Sequence, residues 1–475
     1  MNELILGPLV GGLSSTGAHL WGRTSGPGVL HAWLGNEPDL SDARLAATSL
    51  PLSAENGFAG VAPLLDLTPD TPYRYSLTLS NTPPTPQQAP FPKFTTFPPE
   101  RSPTSFAFAL GSCFRPEGED GGQIFYPLEM RRQADDLRFI LLIGDQIYSD
   151  AFDKNGIGKI ACNLEEYRAV YAYTWSRPAW RKLMATLPAF MTLDDHEVDD
   201  DWTWRDANRQ WATIPIWDRF FRWKDRRPRP ERQIPRQRVQ DALQAYWEHQ
   251  GMHAPSFQLP LELDEKYRYR LLKSDPGSLA YTFTFGAAAF FVMDTRTMRV
   301  KGWRNRTMLG EGQWQALERW LLAVKYRFPL KFIVSSASVL LDMWIDLARD
   351  RWSGFRKERE RLLRFIAENE IEGVHLLAGD LHSAHAIRLE LDTPSRRPLT
   401  LWEFCSTPFE QEPNWVSGPT YRPLRHKFIL KQERFFNLAH LNFGIIRVDF
   451  QPQAKPFVRF EVYGSKGELL GAVGE

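Results

Sequence analysis

The chain is predicted to be a mainly α/β protein preceded by a small all-β sandwich, and three observations carry that prediction. Residues 1–98 alternate short apolar segments with turns rich in Gly, Pro, Ser, Asn and Asp. From Phe106 onward, apolar strands alternate with longer helical stretches. Three of those strands then empty into acids and histidines: Phe139–Asp150 (FILLIGDQIYSD), Pro188–Asp201 (PAFMTLDDHEVDDD) and Val374–His385 (VHLLAGDLHSAH). An apolar run ended by glycine reads as a strand buried on both faces, with its polar residues on the loop at the carboxyl end.

In the first module, candidate strands fall at Ala18–Arg23, Val29–Leu34, Gly60–Leu65 and Tyr73–Leu79, separated by turns such as SGPG and TPDTP. That spacing suggests a fibronectin- or immunoglobulin-like sandwich. The proline-rich stretch Asn81–Pro99 ends it as a semi-rigid linker. The expected division is 1–98 as an accessory sandwich and 99–475 as a catalytic domain. The first module carries no cluster of His, Cys and acids, so a packing role is assigned to it.

In the second part, Phe106–Leu110 reads as a strand ending at Gly111–Ser112–Cys113, and Gln123–Leu137 as a helix leading into the Phe139 strand. Leu164–Ala185 is expected to be helical. Ala280–Met293 reads as two strands, the second ending at Asp294–Thr295–Arg296. Gln313–Val324 is an amphipathic helix and Lys331–Ser335 a strand. Glu358–Asn369 is a charged helix with an apolar stripe. Leu441–Phe450 and Val458–Tyr463 read as closing strands. Residues 202–250 interrupt this order with Trp202, Trp204, Trp211, Trp217, Phe220, Phe221, Trp223 and Trp247, and with seven basic and two acidic residues between Lys224 and Arg238. Such a segment either grips a phosphate-rich polymer or forms a helical cap with its tryptophans packed inward.

Bulk composition narrows the class. With 475 residues the chain exceeds one small core, and 43% hydrophobic with 24% charged residues is an ordinary globular balance. Lys plus Arg is 58 against 57 Asp plus Glu, so no global charge calls for nucleic acid or a membrane surface. Cys113, Cys162 and Cys405 do not make a complete disulfide set. The amino terminus, MNELILGPLVGGLSS, lacks a basic segment and breaks its apolar run with Gly and Pro, which argues against a signal peptide. A cytoplasmic location is favoured, with a processed exported protein as the alternative. The longest uncharged apolar run, near Phe285–Met293, is far short of the roughly 20 residues of a spanning helix.

Carboxylates gathered at one sheet edge repel one another unless a cation lies between them, and metal ions are the usual cation. Taken together, GSC (Gly111–Cys113), GDQIYSD (Gly144–Asp150), DDHE (Asp194–Glu197), DTR (Asp294–Arg296) and GDLH (Gly379–His382) resemble the motif series of the calcineurin-like metallophosphoesterases. The variants are similar to those of one branch, the PhoD-like phosphatases (alkaline phosphatase D family). Ala242–Glu248 (ALQAYWE) and Trp352–Phe355 (WSGF) also look like that family's connecting segments.

The resemblance implies a metallophosphoesterase-type β-sandwich flanked by helices, behind an N-terminal β-sandwich. It implies Asp145 as a carboxylate bridging two ions, with Cys113, Tyr148 and His382 on the first and Asp195 and Asp380 on the second. Fe(III) with Ca(II) is the implied pair, and Mn(II) or Zn(II) are alternatives that carboxylate-rich sites accept. His196 is expected as general acid or donor to the phosphoryl oxygens, and Arg296 as the fork holding a phosphate oxygen. Asp150, Asp194, Glu197, Asp199 and His385 are expected to orient the ligands. The stretch Ser335–Leu341 (SSASVLL) holds no histidine where the family places a further ligand, which favours an oxygen-bound second ion.

The implied reaction is hydrolysis of small phosphomonoesters or phosphodiesters by metal-activated hydroxide. The alternatives are a nuclease or polymer phosphodiesterase that recruits the Arg/Trp segment, with nucleic acid then a substrate, and a polyanion-binding module with an inactive site. A serine hydrolase is disfavoured because no GxSxG elbow is present. Oligomeric state has no signature in the sequence.

Overall fold

Strands whose alternate residues face two different apolar layers need a sheet on one side and helices on the other, and that requirement organises the second part of the chain. The computed structural model describes residues 2–118, 120–203, 234–270, 277–301, 306–343 and 350–474. In the strand Leu137–Ile143, Phe139, Leu141 and Ile143 enter one core cluster while Ile140 and Leu142 enter another. The first set faces a second sheet and the second set faces helices.

Six strands form one sheet, in the order Ala189–Thr192, Leu137–Ile143, Phe106–Gly111, Asn442–Asp449, Phe457–Gly464 and Leu469–Gly474. The first three are parallel and the rest antiparallel. Seven strands form the other, ordered Tyr281–Phe285, Ala288–Val292, Leu330–Ala337, Val374–Gly379, Leu399–Cys405, Ala384–Leu391 and Ile429–Leu438. Here the four strands beginning at Ala288, Leu330, Val374 and Leu399 are parallel. Parallel strands share one carboxyl edge, so their loops collect there.

Aromatic rings join the two sheets. Phe108 meets Phe332 at 5.5 Å between centroids, Phe139 meets Phe290 at 5.6 Å, and Phe190 stacks on Phe283 at 3.9 Å. These rings are at most 9% exposed, and truncating one such phenylalanine costs about 3–5 kcal/mol. Helices Leu164–Trp175, Pro178–Met184 and Arg236–His249 cover the first sheet. Helices Gly310–Val324 and Arg356–Glu368 cover the second. In the last of these, buried Arg359, Leu362, Leu363, Ile366 and Ala367 recur at helical spacing, and Arg359 pairs with Asp342 at 2.7 Å.

The chain is thus a β-sandwich between helices, as expected, with two local corrections. The stretch Leu164–Ala185 is two helices rather than one. Pro178 forces Arg177 into an extended conformation (φ −59°, ψ 128°) and starts a new helix. The helix expected over Gln123–Leu137 is shorter, Phe125–Ala134, and Leu137 already belongs to the next strand.

Residues 4–95 form a three-stranded and a four-stranded antiparallel sheet. They pack on the larger part through specific bonds as well as apolar contact. The fully buried Trp21 donates from Nε1 to the Glu248 carbonyl at 2.8 Å, and the Tyr75 hydroxyl donates to the Ala185 carbonyl at 2.7 Å. Of the Arg/Trp segment, Trp202 is buried and Arg236–His249 is helical. Trp204, Trp211, Trp217, Phe220, Phe221 and Trp223 lie outside the described residues.

Candidate metal centre

The loops that follow the Phe106, Leu137, Ala189 and Val374 strands meet at the shared carboxyl edge, three from the first sheet and one from the second across a narrow seam. Gly379 makes that seam close: a Cβ there would lie 2.6 Å from Ser112 Oγ and 2.8 Å from the Ile143 carbonyl. Cys113, Asp145, Asp380 and His382 all hold left-handed backbone angles, φ 55° to 63°. Non-glycine residues adopt that region at a cost of order 1 kcal/mol each, and such strain concentrates at functional sites.

One donor group comprises Cys113, Asp145 and His382, with one ligand atom of each within 4.8 Å of the others. Cys113 Sγ is 3.3 Å from Asp145 Oδ2 and accepts a hydrogen bond from Thr407 Oγ1 at 3.1 Å. The Tyr148 hydroxyl lies 3.2 Å from His382 Nε2. His382 Nδ1 sits 2.9 Å from the Glu412 carbonyl, which makes Nδ1 the protonated nitrogen and leaves Nε2 with its lone pair toward Tyr148. A second group comprises Asp145, Asp195 and His196, again within 4.8 Å. Asp145 is common to both.

His196 is aimed by its neighbours. Its Nδ1 is 2.9 Å from each carboxylate oxygen of Asp150, and its ring stacks on Tyr148 with centroids 4.1 Å apart. Glu197 is wholly buried and braces the loops. Its carboxylate accepts the backbone amides of Asp145 (3.2 Å), Gln146 (2.8 Å) and Asp194 (3.0 Å), and the Gln250 side-chain amide at 3.2 Å.

Other residues singled out by sequence take different places. Arg296 is fully buried, with its Nε on Asp194 and its Nη2 3.2 Å from Asp195 and 2.8 Å from Asp350. A buried guanidinium needs such partners, and here Nε and Nη2 face carboxylates while Nη1 has no hydrogen-bond partner among the described residues. Asp380 accepts from Arg351 Nε at 2.7 Å and belongs to neither donor group. Asp199 is tied to Arg238 at 2.7 Å and so anchors the Arg236–His249 helix. His385 forms a fully buried pair with Glu403 at 2.9 Å and belongs to neither donor group.

Sequence reasoning missed Thr407, which solvates the Cys113 sulfur, and Asp350, which gathers Arg296, Arg299 (2.5 Å) and Lys301 (2.7 Å). It also missed a third acidic group, Asp195, Asp201 and Asp350. The basic spacing in Asp294–Lys301 (DTRTMRVK) was a usable sign that acids gather nearby, though not of which ones. Asp350 follows no apolar strand and had none.

Burial and crowding set the electrostatics. Burial, together with Cys113, Asp194 and Asp195 nearby, pushes Asp145 well above the usual carboxylate range. Burial likewise pushes the Cys113 thiol up to about 12, and raises the Tyr148 phenol, to which Cys113 and Asp145 add. Asp194 rises to about 7 through burial despite Arg296. His196 moves well above 6.5 because Asp150, Asp145 and Asp195 together outweigh the desolvation that opposes it. Burial lowers His382 to about 4, keeping it a neutral donor.

These features fit bound cations. A carboxylate shared between two donor groups, a sulfur solvated by hydroxyls, and a histidine lone pair held in the seam form an anionic cage that a metal would neutralise. Cys113, Asp145, Tyr148 and His382 would hold one ion, and Asp145 with Asp195 a second.

A two-sheet sandwich with such loops at one edge defines the metallophosphoesterase class. A solved structure titled PhoD superimposes with a TM-score of 0.71 at 18% identity, covering 100% of this chain and 89% of that one. A purple acid phosphatase from yellow lupin (Lupinus luteus) seeds gives a TM-score of 0.58 at 12% identity, over 98% and 73% of the two chains. The model of the PhoD-like phosphatase family matches residues 106–456, and the chain belongs to that family. Alkaline phosphatase D of Bacillus subtilis (strain 168) is 26% identical over 344 residues, 64% of this chain. The chain spans about half (50%) of the length of that curated relative.

Proposed function

We propose that this chain hydrolyses phosphate esters at the edge described above. The observation that carries the reading is the sharing of Asp145 between the Cys113/His382 and Asp195/His196 donor groups. Membership of the PhoD-like phosphatase family supports it. Metal ions held there would supply Lewis acidity to the phosphoryl oxygens and lower the pKa of the attacking water. Iron with calcium suits the sulfur, phenol and carboxylate donors, and manganese or zinc are the alternatives.

The chain's own residues divide the remaining work. Asp150 fixes the His196 ring and favours its protonated form, so that Nε2 carries a proton to the leaving oxygen. Glu197 holds the Asp145 and Asp194 loops in register through three backbone amides. Arg296 holds Asp194 and Asp195 apart from one another's charge and acts through them. No described helix is long and apolar enough to cross a membrane.

The direct test is turnover of p-nitrophenyl phosphate and bis(p-nitrophenyl) phosphate by metal-loaded protein, alongside Asp145→Asn. Hydrolysis of either ester that disappears in the variant supports the reading. Retention within tenfold removes it.

A further inference from the structure

Arg296 is fully buried among three carboxylates, so a solvent-reachable guanidinium for the substrate, beside the metal ions and His196, has to be sought elsewhere. Among the described residues, four other basic groups near the donor cage are paired with carboxylates. Arg299 and Lys301 hold Asp350, Arg351 holds Asp380, and Arg238 holds Asp199. Arg115 differs. It stands two residues after Cys113, and the segment Cys113–Arg115 runs alongside Glu410 through backbone bonds at 2.9 Å (Arg115 amide to the Glu410 carbonyl) and 3.2 Å (Glu410 amide to the Cys113 carbonyl). Its guanidinium carbon lies 5.7 Å from the centroid of the Tyr148 ring, whose hydroxyl is at the metal cage and whose face carries His196. The side chain is half-buried and makes no ion pair within 4 Å with a described residue.

We propose that Arg115, held beside the Tyr148 ring, is the guanidinium that binds the terminal phosphoryl group of the substrate. The inference rests on the phosphoesterase reading and names the ester class that its site takes. A cation–π contact restrains the guanidinium while leaving its N–H donors unspent, and a planar fork of donors matches phosphoryl oxygens. A phosphomonoester offers three non-bridging oxygens and two charges, whereas a diester offers two oxygens and one charge. The monoester therefore gains more from Arg115. Nothing in the motif series marked this residue, because it lies just past GSC with an intervening Phe114.

The experiment compares metal-loaded wild type, Arg115→Ala and Arg115→Lys on p-nitrophenyl phosphate and bis(p-nitrophenyl) phosphate. Phenylglyoxal labelling of Arg115, mapped by mass spectrometry with and without inorganic phosphate, runs beside it. Arg115→Ala is expected to raise KM for the monoester by about 10- to 100-fold, with a smaller fall in kcat. KM for the diester should rise less, and Arg115→Lys should recover part of the loss. Inorganic phosphate should slow labelling of Arg115 in wild type. A monoester KM within twofold of wild type, or labelling that ignores phosphate, would overturn the proposal and leave Arg115 a packing partner of Tyr148. If wild type turned over neither ester, the phosphoesterase reading would fail. Phosphate protection of Arg115 would then still support an anion clamp, and its absence would end that too.

Discussion

The Tyr148 hydroxyl lies 3.2 Å from Nε2 of His382, across a separation of 234 residues. One belongs to the loop after the Leu137 strand and the other to the loop after the Val374 strand, so the contact joins the two sheets. Neither group has a structural need for the other, since His382 already spends Nδ1 on the Glu412 carbonyl. A cation held between phenol, imidazole, Cys113 sulfur and Asp145 would account for the approach. If iron occupies it, Tyr148→Phe should lose the phenolate charge-transfer band and Cys113→Ser should shift or bleach what remains. Visible absorption of the purified variants checks this, and spectra identical to wild type would detach both residues from the metal.

Asp150 is expected to matter most when the leaving group is poor. It orients His196 and keeps it protonated, so Asp150→Asn should cut kcat about 10- to 100-fold on an alkyl phosphate and much less on p-nitrophenyl phosphate, whose leaving oxygen needs no proton. Equal losses on the two substrates would remove the general-acid role from His196.

Glu197→Ala should destabilise the fold by about 3–5 kcal/mol, because it strands three backbone amides and the Gln250 side chain in a dry interior. Chemical denaturation measures the loss. Metal affinity should fall with it, since Asp145 and Asp194 hang on those amides.

Acid should loosen the contact between the amino-terminal sheets and the larger part. His253 is buried against Trp21, and burial lowers it to about 3, with His249 also pushed down beside it. The unfolded chain protonates these imidazoles near 6.5 while the folded chain does not, so the unfolded state binds more protons between pH 6.5 and 3. Stability therefore falls as pH drops through that window, by about 2 kcal/mol for His253 between pH 7 and 5. Urea midpoints at the two pH values should show a shallower loss in His253→Gln than in wild type, and equal losses would show that His253 does not carry the effect.

Much of the donor cluster was readable in the sequence because each member follows an apolar strand: Cys113 after Phe106–Gly111, Asp145 after Leu137–Ile143, Asp195 after Ala189–Thr192 and His382 after Val374–Gly379. Local periodicity is enough for that. What it does not carry is how charges pair across the fold. Arg296 reads from the sequence as a substrate clamp, and nothing local shows that Asp350, 54 positions away, shares it with Asp194 and Asp195. His385 looked like a ligand-orienting group, yet the register of Ala384–Leu391 on Leu399–Cys405 turns it toward Glu403. The strand Leu4–Gly11 escaped notice because Gly7 and Pro8 interrupt its apolar run, although it pairs with Ala18–Thr24.

Metal content measured with a visible spectrum, on protein purified without a chelating tag, tests the shared role of Asp145 most directly. Wild type should hold two or more bound ions per chain, roughly one of them iron if the Cys113–Tyr148 assignment holds, and Asp145→Asn should lose both sites together. An Asp145→Asn protein that keeps the full wild-type complement of ions, or a wild type that takes up none on reconstitution, would contradict that role.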